Sequence, residues 1–425
     1  MLMGVARRAF RIVIGKLLMR LCTVRHVKRL AVLLIRVPVV LAATPEISAA
    51  AQVAETQLRP AVELELRWHA DQEHPALADV ADLAVDRDGG MYVLHPQAMV
   101  ISIFDSNGTD IRTIDLRAVA RGEFAGPTRL GIRHDSLWVL DPGLSRITWL
   151  SSDATWQRPI TVRTAWRDSV GTGNSLGGPL AGGFFYGAPT IMNPVLARGL
   201  VRKVPILRMD ESGMVVDTLL WLDVAPHHTA AMELGPNGEF GYVSQPIRDL
   251  TLVRASPSGD HLVVADRRPA TDVHANVFTV WRVGMDGDTL AEVAVPYVPT
   301  PLTEEYLDAL ILPRFARPDP FAARVDEAKY RSAIWKPKYL PPLEDLVVGI
   351  DGSIWLGLVR TVLSAHSERE WVVLSPGLNQ QYRVMLPAEL AVMQASIRNV
   401  WGILPDSLGV PRVRRYGWSL LQDDV

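Results

Sequence analysis

The chain has 425 residues, 48% of them hydrophobic and 21% charged, with a formal net charge of −2. That is the composition of a folded globular protein, long enough for one large domain or two medium ones. Nine of the 44 basic residues but only one of the 46 acidic ones fall within residues 1–51, so the remainder carries about −10. Nucleic acid is excluded as a partner on that ground, because its binding needs a basic face that replaces counterions.

The basic start reads as a targeting segment. RRAFRIVIGK and VRHVKR precede the apolar run LAVLLIRVPVVLAA (30–43), and the small-residue site Ala49-Ala50-Ala51 follows. That order predicts a signal segment over 1–51 and a mature chain from about Gln52, exported to the periplasm or the medium. The run is short for a membrane span and Arg36 interrupts it. The alternative is a retained amphipathic anchor, which would bring the membrane in as a partner. The single cysteine, Cys22, lies in this leader. The mature chain is therefore expected to hold no disulfide, no thiolate chemistry and no cysteine-based zinc site.

Beyond the leader, AVELELRWH (61–69) alternates apolar and polar residues as a half-buried strand does. A four-strand unit follows: DLAVD (82–86), the turn RDGG, MYVLH (91–95), MVISIFD (99–105), the turn SNG and DIRTIDL (110–116). Asn107-Gly108 suits the positive φ of a tight hairpin, which is the simplest reading of the sequon it opens. The second unit repeats the scheme with RLGIR, HDS, LWVLD, SRITWLS and RPITVR.

Next comes TAWRDSVGTGNSLGGPLAGG (164–183), read as an inter-strand loop. Its GNSLG matches the nucleophile-elbow pattern, but nothing after Ser175 can form the required helix. VPILRMD and MVVDTLLWL (204–222) are the last two strands of a degenerate unit whose first two fall in a Gly-rich stretch without a clear pattern. DLTLVRA, SPSGD, HLVVAD, NVFTVWRVG, MDGD and TLAEVAVP (249–296) form another clear copy. Residues 299–342 switch to apolar spacings of three and four and predict two short helices, starting at Thr303-Glu304-Glu305. DLVVGI, DGS, IWLGL, EWVVLSP and QQYRVMLP (345–387) return to strands, and NVWGILP (399–405) with VPRVRRYGW (410–418) end the series.

Tyr92 and Trp138 are 46 residues apart, as are Trp355 and Trp401. A period in the forties with four short strands per unit predicts an all-β, six-bladed β-propeller with a short helical insertion at about 299–342. Val263 and Trp355 are 92 residues apart, twice the period, but the helical spacing between them argues against a seventh blade. The last unit lacks its outer strand, and AVELELRWH is available to supply it. The N-terminal strand is thus expected to close the last blade and leave no open edge. Domain boundaries follow as 1–51 for the leader and 52–425 for the propeller.

The blade phrase, that closure and the ending VWGILPDSLGVPRVRRY resemble six-bladed propellers of the NHL-repeat type found in exported bacterial proteins, over roughly residues 60–420. The resemblance implies a fold and no single chemistry, since its relatives include lactonases, peptide-amidating lyases, sensor domains and adhesion modules. The gluconolactonase-type relatives imply a divalent ion held by side chains in the central channel. That family's ligands do not map onto this chain residue by residue. Asp82, Asp249 and Asp345 nevertheless precede inner strands at matching positions, with Arg129 at that place in the second blade. Three carboxylates would suit Ca²⁺, whereas each can equally cap a turn. The amidating lyases imply histidine-held zinc. Here His95, His134, His227-His228, His261 and His274 are scattered, with no i, i+4 pair.

The ends of the second strands supply the remaining candidates. His95, Asp141 and Asp266 share one blade position, with Arg267 and Arg268 following, and Arg146, Arg121, Phe124 and Arg360 nearby. Together they predict a mixed ring at one mouth of the channel that grips a polar ligand, or else a set of blade-to-blade ion pairs. The strand tryptophans, among them Trp138, Trp149, Trp281, Trp355, Trp371 and Trp401, are read as packing between blades. The expectation is an exported, monomeric, non-catalytic scaffold for a protein or a small polar ligand. No cofactor is expected beyond a Ca²⁺ ion, and the alternative is a metal-dependent lactonase- or lyase-like hydrolase.

Overall fold

The computed structural model describes residues 56–58, 62–65, 79–119, 124–151, 156–161, 174–189, 203–223, 229–234, 239–274, 276–316, 325–361 and 368–418, all within the unit Val53–Val425. The predicted leader and its cleavage site lie outside the described residues, as do Arg121, His227 and His228.

Each of the first five blades is a four-stranded antiparallel sheet built from a local run of chain. Blade 1 holds β3 (Asp82–Val85), β4 (Met91–His95), β5 (Val100–Phe104) and β6 (Asp110–Asp115), followed by the one-turn helix α1 (Leu116–Val119). Blade 2 holds β7 (Arg129–Arg133), β8 (Ser136–Asp141), β9 (Arg146–Leu150) and β10 (Trp156–Thr161). Blade 3 holds β11 (Asn174–Leu180), β12 (Gly183–Pro189), β13 (Lys203–Asp210) and β14 (Val215–Asp223). Blade 4 holds β17 (Leu252–Ala255), β18 (His261–Ala265), β19 (Val277–Gly284) and β20 (Thr289–Pro296). Blade 5 holds β21 (Leu343–Val348), β22 (Ile354–Leu358), β23 (Glu368–Leu374) and β24 (Gln381–Pro387).

Blade 6 takes β25 (Ala391–Ala395), β26 (Asn399–Pro405) and β27 (Pro411–Gly417) from the C-terminal end. Its fourth strand is β2 (Val62–Glu65), antiparallel to β27 with Leu64 opposite Arg415. The ring is a six-bladed β-propeller, closed by joining the two ends of the chain. On its way to blade 6 the chain lays β1 (Thr56–Leu58) parallel against β24, which covers the outer edge of blade 5.

A separate apolar cluster fills each junction between blades. Ile101, Ile103, Leu130 and Val139 join blades 1 and 2, and Trp138, Leu140, Phe184 and Met209 join 2 and 3. Ile206, Leu219, Leu262 and Val264 join 3 and 4, and Val280, Val295, Leu346 and Leu356 join 4 and 5. Trp355, Trp371, Val400 and Tyr416 join 5 and 6. Leu83, Met91 and Phe104 meet Trp401, Ile403 and Val413 to shut the ring. Each cluster needs apolar residues on both faces of a blade, which is why the inner strands read as nearly continuous hydrophobic runs.

The repeated Asp-Gly phrase is turn chemistry. Asp86 Oδ1 accepts from the amides of Asp88 and Gly90, Asp105 Oδ1 from Asn107 and Thr109, and Asp406 Oδ1 from Leu408 and Val410. Gly89, Gly108 and Gly409 follow at φ 86°, 81° and 78°, a region that glycine enters without steric cost. In antiparallel blades of this topology the turns of Asp86 and Asp105, after the first and third strands, fall on one face of the ring. The connections between blades fall on the other.

That second face carries two additions. The predicted helices form as α2 (Glu304–Phe315) and α3 (Glu327–Ala333), between blades 4 and 5. The ribbon β15 (Thr229–Leu234) with β16 (Glu239–Ser244) lies between blades 3 and 4 and had no signal in the sequence reading. Met232 of the ribbon packs with Leu307, Ile311, Tyr330 and Ile334 of the helices, so the two additions share one core.

The glycine-rich stretch, read as a loop around Ser175 and as the place of the degenerate unit's unclear first strands, supplies the inner strand of blade 3, where Ser175 pairs with Ala188 on β12. Gly182 at φ 73° makes the tight turn between the two strands, and register shifts absorb the remaining irregularity. A strand, and no helix, follows Ser175, so the nucleophile-elbow context is absent.

Candidate functional site

The inner strands enclose a central channel of about 400 Å³. Most residues along its wall are apolar, such as Leu83, Ile132, Val347 and Val392, while polar and apolar atoms share the exposed surface about equally. Four charged side chains interrupt it: Asp82 from blade 1, Arg129 from blade 2, Arg254 from blade 4 and Asp345 from blade 5.

Asp82 opens β3 and is 9% exposed. The amides of Leu83 and Leu130 donate to its carboxylate at 3.0 Å each, and the second of these bonds links blade 1 to blade 2. The Arg129 guanidinium stands 4.0 Å away. Burial nevertheless dominates and pushes the Asp82 carboxyl up to about 6, against the pull of Arg129, the two amides and Arg254. Arg254 lies on β17 and donates to the carbonyl of Val253 at 3.0 Å. Burial, with the like charge of Arg129, lowers it to about 10, so it stays protonated at neutral pH. Asp345 accepts from Arg369 Nη1 at 2.9 Å, and Arg369 also donates to the carbonyls of Leu358 and Gly357.

The candidate calcium ligands therefore do not form a set. Asp82 and Asp345 line the channel, whereas Asp249 lines a different cavity. Asp82 is turned to backbone amides and Asp345 to an arginine. Among the described residues no three His, Cys, Asp or Glu stand together as metal ligands. This donor set does not fit a Ca²⁺ ion. The described histidines are likewise dispersed: His95 is fully buried, His134 sits in a turn at φ 46°, His261 Nδ1 lies 2.6 Å from Asp260, and the amide of His274 donates to Asp272.

The described residues of the predicted mouth ring are not equivalent in their surroundings. Asp141 is fully buried and accepts from the amides of Ala125, Gly126 and Leu144, which makes it a clamp on the loop before β7. Arg146 lies over the Phe124 ring at 5.6 Å. Arg267 donates to the carbonyl of Leu343 at 2.7 Å and ties blade 4 to blade 5. Arg360 pairs with Glu344 at 3.0 Å. Asp266 and Arg268 form a two-pronged pair, with Nη2 to Oδ2 at 2.6 Å, and these two do line an open cavity. Arg254 was missed by the sequence reading. Its signal was a charged residue inside an inner strand, LVRA.

No family model matches the chain, and no curated protein matches it either. Solved structures do match. Virginiamycin B lyase of Staphylococcus aureus is 14% identical, over 84% of this chain and 98% of its own, with a TM-score of 0.35. The calcium-binding protein regucalcin of Agrobacterium tumefaciens is 10% identical, over 85% and 95%, with a TM-score of 0.36. A Bacteroides fragilis protein provisionally described as exported is 9% identical, over 85% and 97%, with a TM-score of 0.41. No activity follows from similarity at this level. Among the described residues no helix is long and apolar enough to cross a membrane.

Proposed function

We propose that the chain is an exported binding scaffold that takes a small polar ligand bearing a carboxylate at the central channel. The observation that carries this reading is the pair Arg129 and Arg254 on the wall of a channel of about 400 Å³. Both channel carboxylates act on Arg254, Asp345 ahead of Asp82, and Asp345 is in addition held by Arg369. Arginine on the wall of an enclosed channel is well suited to hold an incoming carboxylate by paired hydrogen bonds. The basic leader supports export, and N-terminal sequencing of secreted protein should begin near Gln52.

The test is a thermal-shift and calorimetric titration of purified protein with gluconate, glutamate and succinate. At least one of them should stabilise the fold, with an affinity that falls as salt rises and is lost in Arg254→Met. Absence of binding by all three would contradict the reading.

One observation favours a catalytic alternative. A carboxylate titrating at about 6 inside a channel, beside an arginine, is poised as a general acid or base. Under that reading purified protein hydrolyses a lactone with a rate that rises through about pH 6, and Asp82→Asn abolishes it.

A further inference from the structure

A second cavity, of about 600 Å³, lies between blades 3 and 4 and shares no residue with the channel. We infer that this cleft is a saccharide-binding site for a neutral oligosaccharide of a few rings. Three indoles from three separate elements line it. Trp221 comes from β14, the outer strand of blade 3. Trp281 comes from β19 in blade 4. Trp335 follows α3, and its amide donates to Gln245 Oε1 at 2.8 Å, which anchors that backbone.

Trp221 is 59% exposed. The buried tryptophans at 138, 355, 371 and 401 are explained by the junctions they fill. Trp221 fills none, and leaving an indole in water forfeits its large burial gain. A flat indole face offered to solvent matches the C–H face of a pyranose ring.

The polar part of the cleft points the same way. Asp266 and Arg268 form their pair at the rim, with the Arg268 side chain 70% exposed. Such a fork presents carboxylate acceptors beside guanidinium donors, the pattern that vicinal hydroxyls require. A cation held by the aromatic faces is the competing ligand, because Asp223 and Asp249 also line the cleft. Each of the three carboxylates already has a cation near it. Asp266 has Arg268, Asp223 has Lys203 at 3.7 Å, and Asp249 lies in the field of Arg267. The cleft therefore offers little uncompensated negative charge, and a neutral polyol fits it better. Its volume falls in the range of sites for ligands of that size.

The experiment is a titration of the purified protein, followed by tryptophan fluorescence, with cellotriose, chitotriose and maltotriose, and separately with choline. At least one trisaccharide should give a saturable emission change at millimolar concentration or below. Trp221→Ala should weaken that binding about tenfold or more while leaving the melting temperature in place, since the side chain is exposed. Arg268→Gln should weaken it in the same direction. Three outcomes overturn the inference: no saturable change with any of the three saccharides, binding undiminished in Trp221→Ala, or saturable binding of choline alone.

Discussion

At the scale of single residues, the charged groups of the channel separate those that hold the fold from those that face a ligand. Asp82 does both. It ties β3 to β7 through the amide of Leu130, and its carboxyl titrates at about 6. Because the folded value lies above the unfolded 3.8, the native state binds the proton more tightly. Stability from this group is present below about pH 4 and is lost as pH rises through 6. Asp82→Asn, which keeps an oxygen acceptor, removes that loss. Relative to the natural protein it should gain on the order of 3 kcal/mol between pH 4 and pH 7, read from urea unfolding at the two values. A pH-independent difference would show that Asp82 is not buried as described. Gly131 is a second residue-scale test. A β-carbon there would stand 2.4 Å from the Trp138 ring, so Gly131→Ala must displace a packed indole. A cost of about 2 kcal/mol is expected from chemical denaturation, whereas an alanine in an unstrained strand would be neutral or better.

At the scale of elements, legibility followed turn chemistry. Blades 1, 4 and 5 were readable because Asp-Gly turns punctuate their strands, and blade 2 because His134-Asp135-Ser136 does the same, and turn aspartates do cap such turns, as Asp86, Asp105 and Asp351 show. Of blade 3 only the two outer strands were, because NSLGGPL and GFFYGAP break the two-residue alternation with glycine and proline. The inner strand of blade 6, AVMQA, is followed by Ser396-Ile397-Arg398 with no Asp or Gly to mark its turn, and the ribbon β15–β16 belongs to no repeat. Periodicity found both helices, yet α3 has only seven residues and would not persist alone. Its Asp326 cap accepts from the amide of Lys329, Arg331 bridges to Asp308 on α2, and Tyr330 is fully buried. Tyr330→Ala should therefore release the insertion without opening the ring. In hydrogen exchange, amides of 304–315 and 327–333 should lose protection while the blade strands keep theirs. Loss of protection throughout would mean that the insertion is part of the ring's cooperative unit. The candidate site was legible only in part. Blade position placed Asp82, Arg129 and Asp345 on the channel, but position alone does not show which way Asp141 or Arg267 turns once backbone amides and carbonyls compete for it.

At the scale of the whole molecule, the propeller is six junctions in series, and the last of them depends on a strand from the far end of the sequence. Five junctions join blades that are neighbours in the chain, whereas the junction of Leu83 and Phe104 with Trp401 and Val413 forms only when the ring is shut. The pairing of β2 with β27 completes the sheet on which that junction rests. The most direct test is a pair of cysteines at the facing positions, Leu64→Cys with Arg415→Cys, in protein whose only natural cysteine, Cys22, is absent or replaced. Mild oxidation should cross-link this pair and raise the melting temperature, because the bond closes a loop spanning nearly the whole domain. A control pair, Leu64→Cys with Thr113→Cys on the outer strand of blade 1, should stay reduced. Failure of the first pair to cross-link, or equal cross-linking of the control, would contradict the closed ring.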